Sequence, residues 1–260
     1  MPTHITTNEA KTLALNGSDS YRTTHLVYLD ERHRDFAVVR LNLEALKAFF
    51  DTIAVRHRHQ LAAERVADKL FLGAGGMTAG LELPPATATW ATLEYMNYEH
   101  LKIASGFELN LKARLLAAGH VLHEIDLSSP LYKTLAKEQR ERPILITELL
   151  NLSEFHFDGS QNYLPGLKSS SLKFSLLTEV TKYRAALSLP AQQIDIIDDY
   201  RNLRNEIHFP GDALSAPNID AYPAPMADFL IDFINNNIVQ QSNDLSEKWG
   251  FNFKKLVKFV

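Results

Sequence analysis

The 260-residue chain contains no cysteine, and this absence excludes disulfides, thiolate nucleophiles and cysteine-ligated zinc sites together. It also has no run of about 18 apolar residues, so the sequence predicts no membrane-spanning helix and no membrane partner. The first residues, MPTHITTNE, lack a basic region followed by an apolar one, and such a region is what a secretory signal requires. We therefore expect a cytoplasmic protein.

A strong excess of charge is missing as well. The chain has 27 lysines and arginines against 31 aspartates and glutamates, which gives a net charge of −4. This mild value argues against bulk attraction to nucleic acid or to an anionic membrane, although it does not exclude a local basic cleft. Apolar residues make up 45% of the chain, so one large domain, or one domain with an extension, has enough of them for a core.

Glycine and proline are concentrated in a segment that divides the chain. Residues 73–89 hold four glycines and a Pro-Pro pair and are predicted to be a linker. The preceding residues, 1–72, are predicted to be an N-terminal extension. Apolar residues at helical spacing predict a helix over 42–72. Two apolar runs, 25–29 and 35–41, flank a charged turn and predict a small β-hairpin.

Residues 90–260 are predicted to form an all-α bundle. Apolar residues recur at helical spacing in several segments, and residues that start or end helices bound many of them. The predicted helices are 90–118, ending at Gly119; 131–152, interrupted or divided near Pro143; 169–188, started by serines; 190–208; and 226–248. The expected fold class is therefore a helical bundle with an N-terminal extension.

The most informative segment is DDYRNLRNEIH at 198–208, followed by Phe-Pro-Gly. It is typical of the end of an amphipathic helix, whose predicted apolar stripe is Ile196, Tyr200, Leu203 and Ile207. Because a helix advances about 100° per residue, Arg201 and His208 project from one flank, just outside that stripe. Arg204 and Asn205 lie between them. A pocket that acts on a phosphodiester needs a permanent cation beside a titratable imidazole, and this helix carries both.

The arrangement of Arg201, Asn202 and His208 at the end of a bundle helix resembles the Arg-(x)4–6-His signature of HEPN domains. The polar residue directly after the arginine also agrees with that signature. Upstream, Glu108 and Lys112 stand one helical turn apart, in a segment that resembles the first helix of many HEPN proteins. At this spacing the two side chains are most simply expected to form a salt bridge.

The resemblance extends over about residues 90–240 and implies a HEPN-like bundle. It further implies a metal-independent endoribonuclease of toxin–antitoxin or antiphage defence systems, with RNA as substrate and an antitoxin or another protein as a partner. A homodimer is implied too, in which two motif-bearing helices face each other across one cleft. No cofactor and no metal ion are expected.

The resemblance also implies a role for each motif residue. Arg201 would stabilise the phosphate, and His208 would be the acid and base in an attack by the ribose 2′-hydroxyl. Asn202 and Asn205 would orient the phosphate or the imidazole, and Arg204 would supply a second phosphate contact.

A non-catalytic interpretation stays open beside the nuclease. In it, Arg201 and Arg204 pair with nearby carboxylates on a solvated helix face, and the helix dipole favours His208 at the C-terminal end. The chain is then a helical module that binds a protein or nucleotide partner.

Other features of the sequence carry weaker hypotheses. His120, His123 and Glu124 are spaced as metal ligands, but they follow a predicted helix end and no further strong ligand lies nearby. The basic segment 56–59 could contact an RNA backbone, although a solvated helix face explains it more simply. The glycines at 73–80 do not form the Gly-x-Gly-x-x-Gly loop of a dinucleotide site.

Overall fold

The part of the chain that the structure describes is predominantly helical, with one small two-stranded sheet. This computed structural model describes residues 26–28, 31–73, 85–128, 130–152, 166–208 and 225–250, of which 26, 53–73, 85–97, 206–208 and 225–228 are described by their backbone alone. Most of the predicted linker at 73–89 therefore lies outside the described residues. Among the helices that are described, none combines the length and the apolar character needed to cross a membrane.

The elements follow one another in a simple order. A 3-10 helix at Leu26–Tyr28 precedes two long helices, α1 (Glu31–Gly73) and α2 (Pro85–Ala117). The middle of the chain contains β1 (His123–Ile125), α3 (Lys133–Glu138), α4 (Ile146–Leu150) and β2 (Leu167–Ser171). Next come α5 (Phe174–Glu179), α6 (Thr181–Leu187) and α7 (Ala191–His208). The last described elements are α8 (Pro225–Phe233), a π-helical segment at Ile234–Val239 and α9 (Gln240–Trp249).

An aromatic cluster joins α1, α2, α7 and α8 in one core. Phe107 of α2 is fully buried, and its ring centroid lies 5.2 Å from that of Phe49, 5.5 Å from that of Tyr200 and 5.0 Å from that of Phe233. Two of these contacts are edge-to-face, the arrangement that the charge distribution of aromatic rings favours. The beginning of α1 and the bundle that carries the motif helix thus share their hydrophobic interior.

The β-hairpin predicted at 25–29 and 35–41 is wrong. Helix α1 begins at Glu31 and continues through the second apolar run without a break. Its buried residues recur mainly three and four apart, which is the period of a helix packed on one side; among the described side chains they are Asp35, Val38, Val39, Asn42, Ala45, Leu46, Ala48, Phe49 and Thr52. The charged segment that suggested a turn forms the start of the helix, where an acidic residue such as Glu31 interacts favourably with the helix dipole.

Several helices predicted beyond residue 90 are present, with some changed ends. The first begins at Pro85 instead of residue 90, because proline suits the first position of a helix. Gly119 follows its end with a φ of 79°, as expected of a C-terminal cap. Segment 131–152 is divided into α3 and α4 on either side of Pro143. The motif helix runs from Ala191, and the predicted last helix is present as α8, the π-helical segment and α9, which follow one another without a break.

The helix predicted over 169–188 is wrong in its first part. The serines expected to start it belong to β2, which pairs antiparallel with β1 so that His123 stands opposite Ser171. Val180 then adopts an extended backbone with φ of −84° and ψ of 119°, which separates α5 from α6. Turning the chain at this point places Glu179, the last residue of α5, close to α7.

Tyr28 connects the sheet to the N-terminal part of the fold. Its buried hydroxyl accepts hydrogen bonds from the backbone amides of Leu122 and His123, at 2.8 and 3.1 Å. The same oxygen lies 2.6 Å from His123 Nδ1. Because the two amides already donate to it, we assign the hydroxyl proton to this last bond, which leaves the proton of a neutral imidazole on Nε2.

Candidate active site

Helix α7 carries the predicted motif, but its buried face is not the predicted stripe. The buried residues are Ile194, Ile197, Tyr200 and Arg201. Among the residues of the predicted stripe whose side chains the structure describes, Tyr200 is buried, while Ile196 and Leu203 are half-buried. Arg201 was expected just outside the buried face and instead belongs to it. The reason is that α5 packs on this side of α7 and supplies the carboxylate of Glu179, which together with Asp198 of α7 itself makes the burial of a guanidinium possible.

Two carboxylates hold the Arg201 guanidinium. Its Nε donates a hydrogen bond of 2.7 Å to Oδ1 of Asp198, one turn earlier on α7. Its Nη2 lies 2.6 Å from Oε1 of Glu179, at the end of α5. The exposed fraction of the side chain rises from 9% for Arg201 to 25% for Asp198 and 55% for Glu179. The cation is therefore enclosed, with one sheltered partner and one partner open to solvent.

Asp198 is itself fixed by several neighbours. Burial by itself would raise the pKa of this carboxyl, but hydrogen bonds from Arg201, Thr178 and Asn202 outweigh it and the pKa is lowered. The bond from Asn202 Nδ2 measures 3.3 Å. In turn, the hydrogen bond to Asp198 raises the pKa of Arg201, so the guanidinium stays charged. Asn202, predicted to orient the phosphate or the imidazole, donates a hydrogen bond to Asp198 in this structure.

Arg204 joins a second charged cluster, formed between α7, α2 and β2. Its Nη1 lies 2.6 Å from Oε2 of Glu108, and the other oxygen of Glu108 lies 2.6 Å from Nζ of Lys112. Lys112 also donates a hydrogen bond of 2.9 Å to the hydroxyl of Ser171. Two cations therefore share one carboxylate. The Glu108–Lys112 pair expected from the sequence is present, and Arg204 is added to it.

His208 lies on the same helix as Arg201. Helix α7 continues to His208, which is seven residues after Arg201, about 10 Å further along the axis and about 20° from it around the helix. Asn205, between them, is exposed. The side chain of His208 lies outside the described residues, so its position beside Arg201 on one flank of the helix stays a prediction.

His120, His123 and Glu124, which are spaced as metal ligands in the sequence, each form other interactions in the structure. His120 follows the end of α2 and pairs with Leu145 in an isolated β-bridge, His123 is bonded to Tyr28, and Glu124 accepts a hydrogen bond from Ser170. Across the described part of the chain, no three histidine, aspartate or glutamate side chains are grouped so as to hold a metal ion.

The tertiary structure adds partners that the sequence did not indicate. Asp198 could be inferred, since it stands three residues before Arg201 on one helix. Glu179 and Ser171 could not, because they come from a different helix and from a strand whose serines were expected to cap a helix. In the sequence, Glu179 and Ser171 stand in polar segments that contain similar residues, so nothing marks them as partners of the motif helix or of Lys112.

Comparison of the chain with models of known protein families, with curated proteins and with solved structures found no match. The functional argument therefore depends on the site itself. It offers two arginines one turn apart, a buried lysine, carboxylates that neutralise much of their charge, and a histidine two turns away on the same helix. These groups can bind an oxyanion and transfer a proton.

Proposed function

We propose that this protein is a metal-independent endoribonuclease of HEPN type, acting in toxin–antitoxin or antiphage defence. One observation carries the proposal: Arg201 and His208 belong to one helix and stand on the same side of it. A helix holds this spacing without help from a loop, so a permanent cation and a titratable imidazole have a defined relative position.

The proposed reaction is an attack by the ribose 2′-oxygen on the adjacent phosphorus. The 2′-oxygen to phosphorus bond forms while the bond to the 5′-oxygen breaks, which leaves a 2′,3′-cyclic phosphate and a free 5′-hydroxyl. His208 takes the proton from the ribose 2′-hydroxyl or gives one to the leaving 5′-oxygen, since an imidazole titrates near neutral pH. Arg201 binds the phosphate oxygens as negative charge grows on them, with Arg204 as a second contact. Asn202 and Asn205 orient these groups.

The proposed enzyme is a homodimer in which two α7 helices face one cleft, and an antitoxin or another protein partner controls it. Analytical ultracentrifugation should therefore give a mass twice that of the 29.4 kDa chain. A HEPN-like bundle is part of the same proposal, supported by a long helix carrying Glu108 and Lys112, intervening helices, the motif helix and closing helices in that order.

The test is cleavage of total cellular RNA in the presence of EDTA. We expect the wild type to cut RNA and to leave 2′,3′-cyclic phosphate ends, detected with a ligase specific for such ends. Arg201→Ala and His208→Ala should each lower the rate by at least about 100-fold, which is the usual loss when a general acid–base group or a charge-stabilising group is removed.

The matched control for Arg201 is Arg184→Ala. Arg184 also forms an ion pair with an aspartate of α7, Asp195, but it lies outside the proposed site, so this variant should keep the activity of the wild type. Equal cleavage by all the variants would show that the activity belongs to a contaminant. A folded wild type that leaves RNA intact, with or without EDTA, would contradict the proposal.

A specific observation favours a second candidate, a non-catalytic helical module that binds a protein or nucleotide partner. Arg201 is enclosed and paired with two carboxylates, and Arg204 is paired with Glu108. In a protein without catalytic activity such pairs would serve only to hold α7 against α5 and α2. The cleavage experiment separates the two candidates.

A further inference from the structure

The two partners of Arg201 differ in how firmly they are held. Asp198 is sheltered, stands on the same helix as Arg201 and also accepts a hydrogen bond from Asn202. Glu179 is the last residue of α5, and more than half of its side chain is exposed. Apart from Arg201, no described residue forms an ion pair with it within 4 Å. Glu179 is therefore the partner that can be exchanged.

The geometry of the guanidinium indicates which kind of ligand could take the place of Glu179. Asp198 occupies the Nε side and Glu179 occupies Nη2. A guanidinium binds carboxylates and phosphates through the same nitrogen atoms, since both ligands present oxygen atoms at similar spacing. An oxyanion that arrives from solvent meets Arg201 at the place where the exposed carboxylate of Glu179 now lies. Asp198 can keep the arginine oriented while that ligand changes.

We propose that the Glu179 carboxylate occupies the position of an RNA phosphodiester at Arg201 and must leave before RNA binds. This inference rests on the proposed function, because it names the group that controls access to the same site. Glu179 sets the affinity of the resting protein for RNA. Its removal opens the site without touching the groups proposed for catalysis.

The experiment measures binding of a short fluorescein-labelled 2′-O-methyl oligoribonucleotide by fluorescence anisotropy. This probe carries phosphodiesters but lacks the attacking hydroxyl, so binding is measured apart from cleavage. We expect Glu179→Gln to bind it about 3- to 10-fold more tightly than the wild type, since the variant has no ion pair to exchange and no carboxylate beside the incoming phosphate.

Two controls separate this effect from a general change in charge. Glu141→Gln removes the same charge from another exposed glutamate and should change the affinity by less than about 1.5-fold, because screened charges outside the site contribute little. In the double variant Glu179→Gln with Arg201→Gln the gain should disappear. If Arg201→Gln prevents folding, Arg201→Lys replaces it, since lysine keeps the charge but cannot hold a phosphate through two nitrogens.

The outcomes separate this inference from the nuclease proposal. Four results would each overturn the inference. Glu179→Gln could bind the oligonucleotide no more tightly than the wild type does, or Glu141→Gln could show the same gain in affinity. The gain could also persist without Arg201, or no variant could bind the probe. RNA cleavage measured in parallel tests the nuclease on its own. An Arg201-dependent gain in binding without any cleavage would support the oxyanion site and reject the enzyme.

Discussion

A single glycine allows α1 and α2 to pack closely. A Cβ atom at Gly106 would lie 2.7 Å from the ring of Phe49, closer than real contacts allow. Phe49 is buried against Phe107 at this point. Glycine inside a helix normally costs about 1 kcal/mol relative to alanine, and here the close contact of an aromatic ring offsets that cost.

We expect Gly106→Ala to lower the free energy of unfolding by about 1–3 kcal/mol in urea denaturation, because the strain of an overfilled core exceeds the gain in helix propensity. The control is the double variant with Phe49→Leu, which removes the ring that the new methyl group meets. The two changes together should destabilise the protein by less than the sum of the single changes. A Gly106→Ala protein as stable as the wild type would contradict this reading of the packing.

At the scale of elements, Glu108 joins three of them. It lies on α2, accepts from Arg204 of α7 and pairs with Lys112, which is bonded to Ser171 of β2. Burial alone would raise the pKa of the Glu108 carboxyl, but the charges and hydrogen bonds of Lys112 and Arg204 hold it below its ordinary value of 4.5. The cluster is therefore a contact between elements and a source of pH-dependent stability.

The sign of that dependence follows from the lowered pKa. The Glu108 carboxylate contributes stability at pH values above 4.5, and the contribution is lost as the pH falls through the lower pKa of the folded state. We expect Glu108→Gln to lower the free energy of unfolding by about 1–3 kcal/mol at pH 7, because two partly buried cations lose their carboxylate. The difference from the wild type should shrink as the pH falls below 4.5.

The matched control for Glu108 is Glu44→Gln. Glu44 forms a pair with Arg40 at the same helical spacing as the pair of Glu108 with Lys112, but it is exposed. Such pairs contribute at most about 0.5 kcal/mol, so urea denaturation at neutral pH should show only a small difference in the free energy of unfolding between this variant and the wild type. A Glu108→Gln effect as small as that of Glu44→Gln, or one that grows in acid, would show that the cluster does not stabilise the fold.

At the scale of the whole molecule, hydrogen bonds and ion pairs join α9, the last described helix, to the start of α1. Oδ2 of Asp35, near the start of α1, accepts hydrogen bonds from Nε1 of Trp249 at 2.8 Å and from Nζ of Lys248 at 2.7 Å. Lys248 also pairs with Glu31, at 2.6 Å. The contact closes α9 onto α1, so residues predicted to form an extension and residues predicted to form the bundle stabilise one another.

We expect Asp35→Ala to lower the free energy of unfolding by about 1–3 kcal/mol, because a sheltered indole N–H and an ammonium group lose their shared acceptor. The control is Glu31→Ala, which removes the other carboxylate bonded to Lys248. The side chain of Glu31 is 57% exposed and that of Asp35 is 6% exposed, so Glu31→Ala should cost less than about 1 kcal/mol. Urea denaturation of both variants gives the comparison, and equal effects would contradict it.

The sequence determined the features that depend on neighbours along the chain. Apolar residues three and four apart predicted the bundle helices, Gly119 predicted the end of α2, and residues seven apart on α7 placed Arg201 and His208 on one side of it. These follow from local geometry, since every turn of a helix repeats the same positions. The Glu108–Lys112 pair was predictable for the same reason.

The tertiary structure alone decided which side of each element is buried and which charges meet. It placed the second apolar run of the predicted hairpin in α1, the serines in β2 and Arg201 in the buried face of α7. The partners that produce these outcomes, such as Phe107 for α1 and Glu179 for Arg201, are distant in sequence. A local pattern cannot specify them because the free energy of burying a side chain depends on what packs against it.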